Sequence, residues 1–232
     1  MSDYIFTLSS GEEIPVIITT RRGLRNITLR PKFTPKREIH ISKPWLVSVG
    51  AAIRFLRSKQ RWLECVFQKC PVKVKIKPGD EIEFIGRKVK LLHDSTMRAN
   101  CFDADNFVLY IGGDIDMFER RVRDYIKAEF LQEVKNIIRL VSREFHPKRI
   151  TLRDTTSRWG SCSSTGTMSF SWRLAFAPVD VMRYVVMHEL AHTRHMNHSP
   201  EFWATVRELY GGGTERAKRW LTQNGESLHR YF

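Results

Sequence analysis

This chain has too few cysteines for a disulfide framework. Four in 232 residues, at 65, 70, 101 and 162, leave reduced structural thiols as the reading for all of them. Cys65 and Cys70 are separated by four residues and no second pair completes a cysteine zinc site. No run reaches the roughly 18 apolar residues that span a bilayer. Met1 to Thr20 lacks the basic start and apolar middle of a secretion signal, since Asp3, Glu12 and Glu13 interrupt it. A soluble, cytoplasmic protein with no membrane partner is therefore expected. No internal repeat, low-complexity linker or recurring basic-aromatic motif stands out.

Acidic residues are also scarce, at 25 against 39 Lys and Arg, which gives a net charge of +14. Residues 1–113 hold 20 basic and 11 acidic residues and residues 114–232 hold 19 and 14, so the excess leans to the first half. A basic surface attracts nucleotides, nucleic acid or acidic proteins, and equally exists as a plain solvated face. With 42% hydrophobic and 28% charged residues, the composition is that of a globular protein able to bury a core.

The first part reads mainly as strands. Tyr4–Leu8 and Ile14–Ile18 flank the turn Ser9-Ser10-Gly11, and Asn26–Arg30 and Glu38–Ile41 alternate as half-buried strands do, with Pro31 and Pro35 between them. Apolar residues at helical spacing predict one amphipathic helix over Val49–Lys69. Val72–Leu92 reads as hairpin-rich, with turns at Pro78-Gly79-Asp80 and Gly86-Arg87, and 100–113 adds a short strand or two. At Asp114 the character changes, and Phe118 through Val141 trace a long amphipathic helix reaching toward Phe145. Strands over 149–154 and 167–174 enclose a loop over 155–166. A buried helix opens at Pro178, another starts at Ser199-Pro200 and ends at Gly211-Gly212-Gly213, and Thr214 is expected to cap the last, which stops near Asn224-Gly225. Two domains are expected: a mainly β region with one helix over 1–113, and a catalytic region over 114–232.

The chemistry concentrates in His188-Glu189-Leu190-Ala191-His192. Histidines four apart on a helix project from one face, so one zinc ion can accept both imidazoles at roughly 2.0–2.1 Å. Glu189 follows the first ligand and is placed to take a proton from a water whose pKa the metal has lowered to about 7. A catalytic zinc needs a third protein ligand. His195 lies about two turns on from His188, too far along a continuing helix, whereas a turn at Met196-Asn197 swings His198 back. His198 is the favoured third ligand. The alternative is a merely polar helix face, but on a helix this apolar His188, Glu189 and His192 would be buried polar groups in need of partners.

Ser157-Arg158-Trp159-Gly160-Ser161-Cys162-Ser163, Ser171-Trp172-Arg173-Leu174, Ala177-Pro178, Tyr184 through His192, and His198-Ser199-Pro200-Glu201-Phe202-Trp203 resemble the YgjP-like metallopeptidase family. Arg21-Arg22, Ile27-Thr28-Leu29-Arg30 and Gly86-Arg87 resemble its leading region, so the likeness covers most of the chain. The resemblance implies an α+β fold with a zincin-like core: a long support helix, a small sheet and the metal helix, followed by the helix carrying the third ligand, all preceded by the mainly β region. It assigns His188, His192 and His198 to Zn2+ and Glu189 to base chemistry. The implied function is zinc-dependent hydrolysis of a peptide or protein substrate.

Secondary candidates have two readings each. Arg158 and Arg173 either stabilise an oxyanion or hold a substrate anion, or else pair with acidic partners and hold the loop. Trp159 and Trp172 line the cleft or, better, pack the core. Cys162 is an inhibitory thiolate ligand or a small buried residue. Glu201 orients a ligand imidazole or is an exposed acid at a helix start. His40, His93, His146 and His229 lack metal-like spacing. Two rival functions remain: a metal-dependent nucleoside triphosphate pyrophosphohydrolase using Arg158, Arg173 and the basic surface, and a metal-stabilised module that binds nucleic acid or protein.

Overall fold

The computed structural model describes residues 4–33, 37–69, 74–141 and 145–232. Expectations touching Pro35, Cys70, Val72 and residues 142–144 lie outside the described residues. The fold is mixed α+β, and the chain divides into two compact units, Met1–Val74 and Lys75–Phe232.

In the first unit the strands β1 (Tyr4–Thr7), β2 (Glu13–Arg21), β3 (Thr28–Lys32) and β4 (Glu38–Pro44) form one sheet in the order β1-β2-β4-β3. The outer pairs are antiparallel and the central pair, β2 with β4, is parallel. Period-two alternation sends Phe6, Ile14, Val16, Ile39 and Ile41 to one face, where they join a core with Ala52, Leu56, Leu63 and Phe67. Those last four come from two helices rather than one, α1 (Val49–Ser58) and α2 (Gln60–Lys69). Lys59 leaves helical geometry at φ −102° and ψ 11°, and its N–H turns to the Arg57 and Leu56 carbonyls, which ends α1. Apolar periodicity runs straight through such a break and does not register it.

In the second unit β5 (Glu81–Phe84), β6 (Arg87–Asp94), β7 (Cys101–Asp103) and β8 (Val108–Gly112) form a sheet ordered β5-β6-β8-β7, again with a parallel central pair. The β5–β6 hairpin turns on Ile85 and Gly86, both at positive φ (47° and 70°). Gly86 is required twice, since a Cβ there would stand 2.7 Å from Val179 Cγ2 at the start of a later helix. A short 3₁₀ turn leads into α3 (Phe118–Val141), whose Phe118, Val122, Ile126, Phe130, Val134, Ile137 and Ile138 are buried. The boundary expected at 113/114 falls inside this unit, because Ile82, Val89, Leu91, Leu109 and Ile111 share one core with α3.

A third sheet, ordered β10-β11-β9, follows: β9 (Arg149–Arg153), β10 (Gly160–Cys162) and β11 (Thr167–Ser171). β10 lies within the expected loop, and Trp172–Phe176 is a 3₁₀ turn rather than the end of a strand. Then come α4 (Val179–Ala191), α5 (Pro200–Tyr210) and α6 (Thr214–Asn224). Gly213, not Thr214, caps α6; Thr214 is its first residue and is buried. Among the described residues no helix is long and apolar enough to cross a membrane.

Candidate metal centre

Helix α4 is apolar nearly all round, with Asp180 and Arg183 as its exposed polar residues. Val181, Met182, Val185, Val186, Met187, Leu190 and Ala191 are all buried, so its last turn carries His188 and Glu189 into the protein interior. The helix ends at Ala191, and His192 is its C-cap. The chain then turns over Thr193–His195, where the Thr193, Arg194 and His195 N–H groups satisfy the last α4 carbonyls. A bend at Met196-Asn197 leads to His198, and the Ser199 hydroxyl starts α5 by accepting the Phe202 N–H.

This path brings the three expected imidazoles together. One ligand atom from each of His188, His192 and His198 lies within 4.8 Å of the others. His198 Nε2 stands 3.3 Å from His188 Nε2. Nitrogens bound at about 2.0–2.1 Å to a tetrahedral zinc are separated by roughly 3.3–3.4 Å, so this pair already has a suitable spacing. His192 Nδ1–H donates to the His195 carbonyl at 2.9 Å, which leaves its Nε2 with a free lone pair. His195 thus contributes a backbone oxygen to the site. His188 Nδ1 is buried and has no hydrogen-bond partner among the described residues. Desolvation, reinforced by His192 and His198, pushes the His188 imidazole down to about 4. Burial also lowers His192, against the opposing hydrogen bond to His195. Neutral imidazoles are the form that binds a metal, so the donor set fits a divalent cation.

Phe202 backs all three rings. It is fully buried, and its centroid lies 5.0 Å from His188, 4.4 Å from His192 and 4.7 Å from His198. Trp203 flanks His188 and His198 at 5.6 Å and 5.8 Å, under the Lys218 ammonium. Imidazoles gripped this way cannot swing freely, which preorganises the set.

Glu189 is 6% exposed, and burial lifts its carboxyl to about 7 against the opposing charge of Arg158. It lies against β10: a Cβ at Gly160 would stand 2.5 Å from Glu189 Cγ and 2.6 Å from Oε1. Gly160 does not have positive φ, so glycine serves there for room. Spacing does not reveal Phe202 or Gly160, because both act through contacts between distant segments.

The other candidates fall elsewhere. Arg158 is exposed in the loop before β10, with its charge reaching Glu189. Arg173 is 4% exposed and its donors are engaged: Nε and Nη2 donate to Asp154 at 2.7 Å and 3.1 Å, and Nη1 and Nη2 to the Tyr231 and Phe232 carbonyls at 2.7 Å and 3.2 Å. The loop-holding alternative is the one these contacts match. Trp172 packs in the core against Phe176 and Phe232, and Trp159 stacks on His229. Cys162 is partly buried, and burial with the nearby Glu189 charge raises its thiol. Glu201 is exposed in the first turn of α5, its carboxyl lowered by the Ser199 hydroxyl. His40 binds Glu38, and His93 binds the Gly113 carbonyl.

Three histidines converging from the end of α4 and the turn before α5, with a buried carboxylate on α4, define a candidate mononuclear metal centre in a mixed α+β protein. A family model described as the YgjP-like metallopeptidase domain matches residues 25–224, and the chain belongs to that family. No curated protein matches it. Among solved structures, the metallopeptidase zymogen of Pyrococcus abyssi abylysin is 24% identical over 46% of this chain and 98% of its own, with a TM-score of 0.33.

Proposed function

We propose that the chain is a zinc-dependent hydrolase of the metallopeptidase type, with His188, His192 and His198 holding the ion and Glu189 acting as general base. The carrying observation is the convergence of three imidazole nitrogens within 4.8 Å, with a buried carboxylate next to His188 on α4. The zincin-like reading of the core follows from the same parts: α3 as backing helix, β9–β11 as the small sheet and α4 as metal helix. The third imidazole comes from the turn before α5 rather than from the helix itself. Zinc held there supplies Lewis acidity, which makes water more acidic and polarises a carbonyl oxygen.

The remaining steps belong to the protein. Glu189 Oε1 or Oε2 takes a proton from the attacking water and returns it to the leaving amine. A carboxyl raised to about 7 is matched to both halves of that transfer near neutral pH. Gly160 leaves room for the carboxylate, and Phe202 holds the imidazoles in place. A peptide or protein substrate follows from the family.

The Glu189→Gln variant keeps size and hydrogen bonding but cannot carry the proton. Cleavage of a fluorogenic peptide pool is expected to fall by about 10²–10⁴-fold while bound zinc, read by mass spectrometry, stays at one per chain. Undiminished turnover in that variant would remove Glu189 from the base role.

A further inference from the structure

Sheet β10-β11-β9 has two unlike faces. Met168 and Phe170 are buried on one, while Ser161, Ser169 and Thr151 stand in register on the other. On this polar side a hollow of about 360 Å³ is lined by Arg153, Thr155, Ser157, Arg158, Ser161 and Ser169. Among the described residues neither guanidinium group has a hydrogen bond or a close ion pair, although the Arg158 charge reaches Glu189. Two arginines lining one hollow give it positive charge, which a bound anion would offset.

The segment carrying Arg158 is held. Thr155 Oγ1–H donates to the Arg158 carbonyl at 2.8 Å, and the Ser171 N–H donates to the Trp159 carbonyl at 2.8 Å. The hollow neighbours the metal centre across one strand, since Gly160 of β10 forms part of its wall and a Cβ there would meet Glu189. Finally, β10 is an edge strand. An extended peptide pairing with it would present every second side chain to the polar face.

We propose that this hollow is a subsite for a carboxylate of the substrate: the side chain of a Glu or Asp near the scissile bond, gripped by Arg153 and Arg158. The proposal rests on Glu189 serving peptide hydrolysis and names the class of peptide, an acidic one. Planar guanidinium forks match carboxylates, and the serine hydroxyls supply further donors.

Binding to zinc-loaded Glu189→Gln protein separates this idea from the catalytic one. The probes are two fluorescein-labelled hexapeptides that differ by one Glu or Gln, with that residue moved through each position. At one position the Glu peptide is expected to bind at least about tenfold tighter. Arg153→Gln should cut that preference to about twofold while leaving zinc content and the Gln peptide's affinity unchanged. In otherwise wild-type protein the same change should raise KM for the Glu peptide more than it lowers kcat. Equal binding of both peptides at every position overturns the subsite. So does an Arg153-dependent affinity for inorganic phosphate or a nucleoside triphosphate without any Glu preference. An Arg153-dependent preference for Glu in a protein whose wild type cleaves neither peptide upholds the subsite and removes the peptidase reading alone.

Discussion

The two four-stranded sheets are one arrangement used twice. β1-β2-β4-β3 and β5-β6-β8-β7 share strand order, the two antiparallel outer pairs and the parallel central pair. Their inward pairs correspond: Val16 with Ile39 matches Leu91 with Leu109, and Ile18 with Ile41 matches His93 with Ile111. What differs is the company each keeps. The first closes its core with α1 and α2 alone, while the second shares its core with α3, α4 and α5. Charge divides too: residues 1–74 hold 14 basic and 5 acidic residues, a net +9, and residues 75–232 hold 25 and 20, a net +5. A sheet topology is therefore neutral as to function, and chemistry enters only through what packs against it.

Emptying one core at a time should separate the two units most strongly. Phe202→Ala and Phe67→Ala each remove a buried ring and should each cost about 3–5 kcal/mol in denaturant unfolding. Only Phe202→Ala should also weaken zinc binding, measured by competition with a chromogenic chelator. Equal zinc retention would mean that the ring behind the three histidines is mere filling. Next in size is Gly160→Ala, whose methyl group meets the Glu189 carboxylate. Peptide turnover should drop by about 10–100-fold with zinc content unchanged, a loss of roughly 1.4–2.7 kcal/mol in transition-state binding. Unaltered kcat would show that the carboxylate has room to shift.

Smaller effects come from matched helix caps. Ser48 accepts the Ala51 N–H at 3.1 Å in the first unit, and Ser199 accepts the Phe202 N–H at 3.4 Å in the second. Alanine at either should cost about 1 kcal/mol by thermal unfolding, with zinc affinity falling only for Ser199→Ala. The smallest effect concerns Asp154. Burial alone would raise its carboxyl, but the Arg173 hydrogen bond and charge hold it below the ordinary value of 3.8. A depressed carboxylate stabilises the fold above its unfolded pKa, and that contribution fades as pH falls below about 4. Asp154 is 55% exposed, so the gain is under about 1 kcal/mol. Urea midpoints at pH 6 and pH 3 for wild type and Asp154→Asn should converge at the lower pH; a constant gap would sink the linkage.

Legibility in the sequence followed the range of the interactions. His188, His192 and His198 were readable because a helix and one turn relate them, and local spacing encodes both. Strands of the first sheet were readable from alternation, since one face is buried, and the hairpin of the second from the turns that bound it. Alternation says which face a residue takes but nothing of partner or order, so the duplicated topology left no visible repeat. β10 was hidden because Gly160-Ser161-Cys162 is three residues with little apolar signal, and its pairing with β11 supplies the strand geometry. Arg173 carried two readings, and only the fold showed that Asp154 and the last two carbonyls occupy it.

The turn that delivers His198 has a consequence in polymer terms. His188 and His198 are ten residues apart in the chain, with nitrogens 3.3 Å apart in space. A metal ion shared by the two is a ring closure, and a clip of that length denies the unfolded chain roughly 2–3 kcal/mol of conformational entropy. The ion's free concentration then sets the stability of α4 against α5 by mass action. Chelator should accordingly lower the melting temperature of the second unit while leaving the self-contained core of the first unmoved.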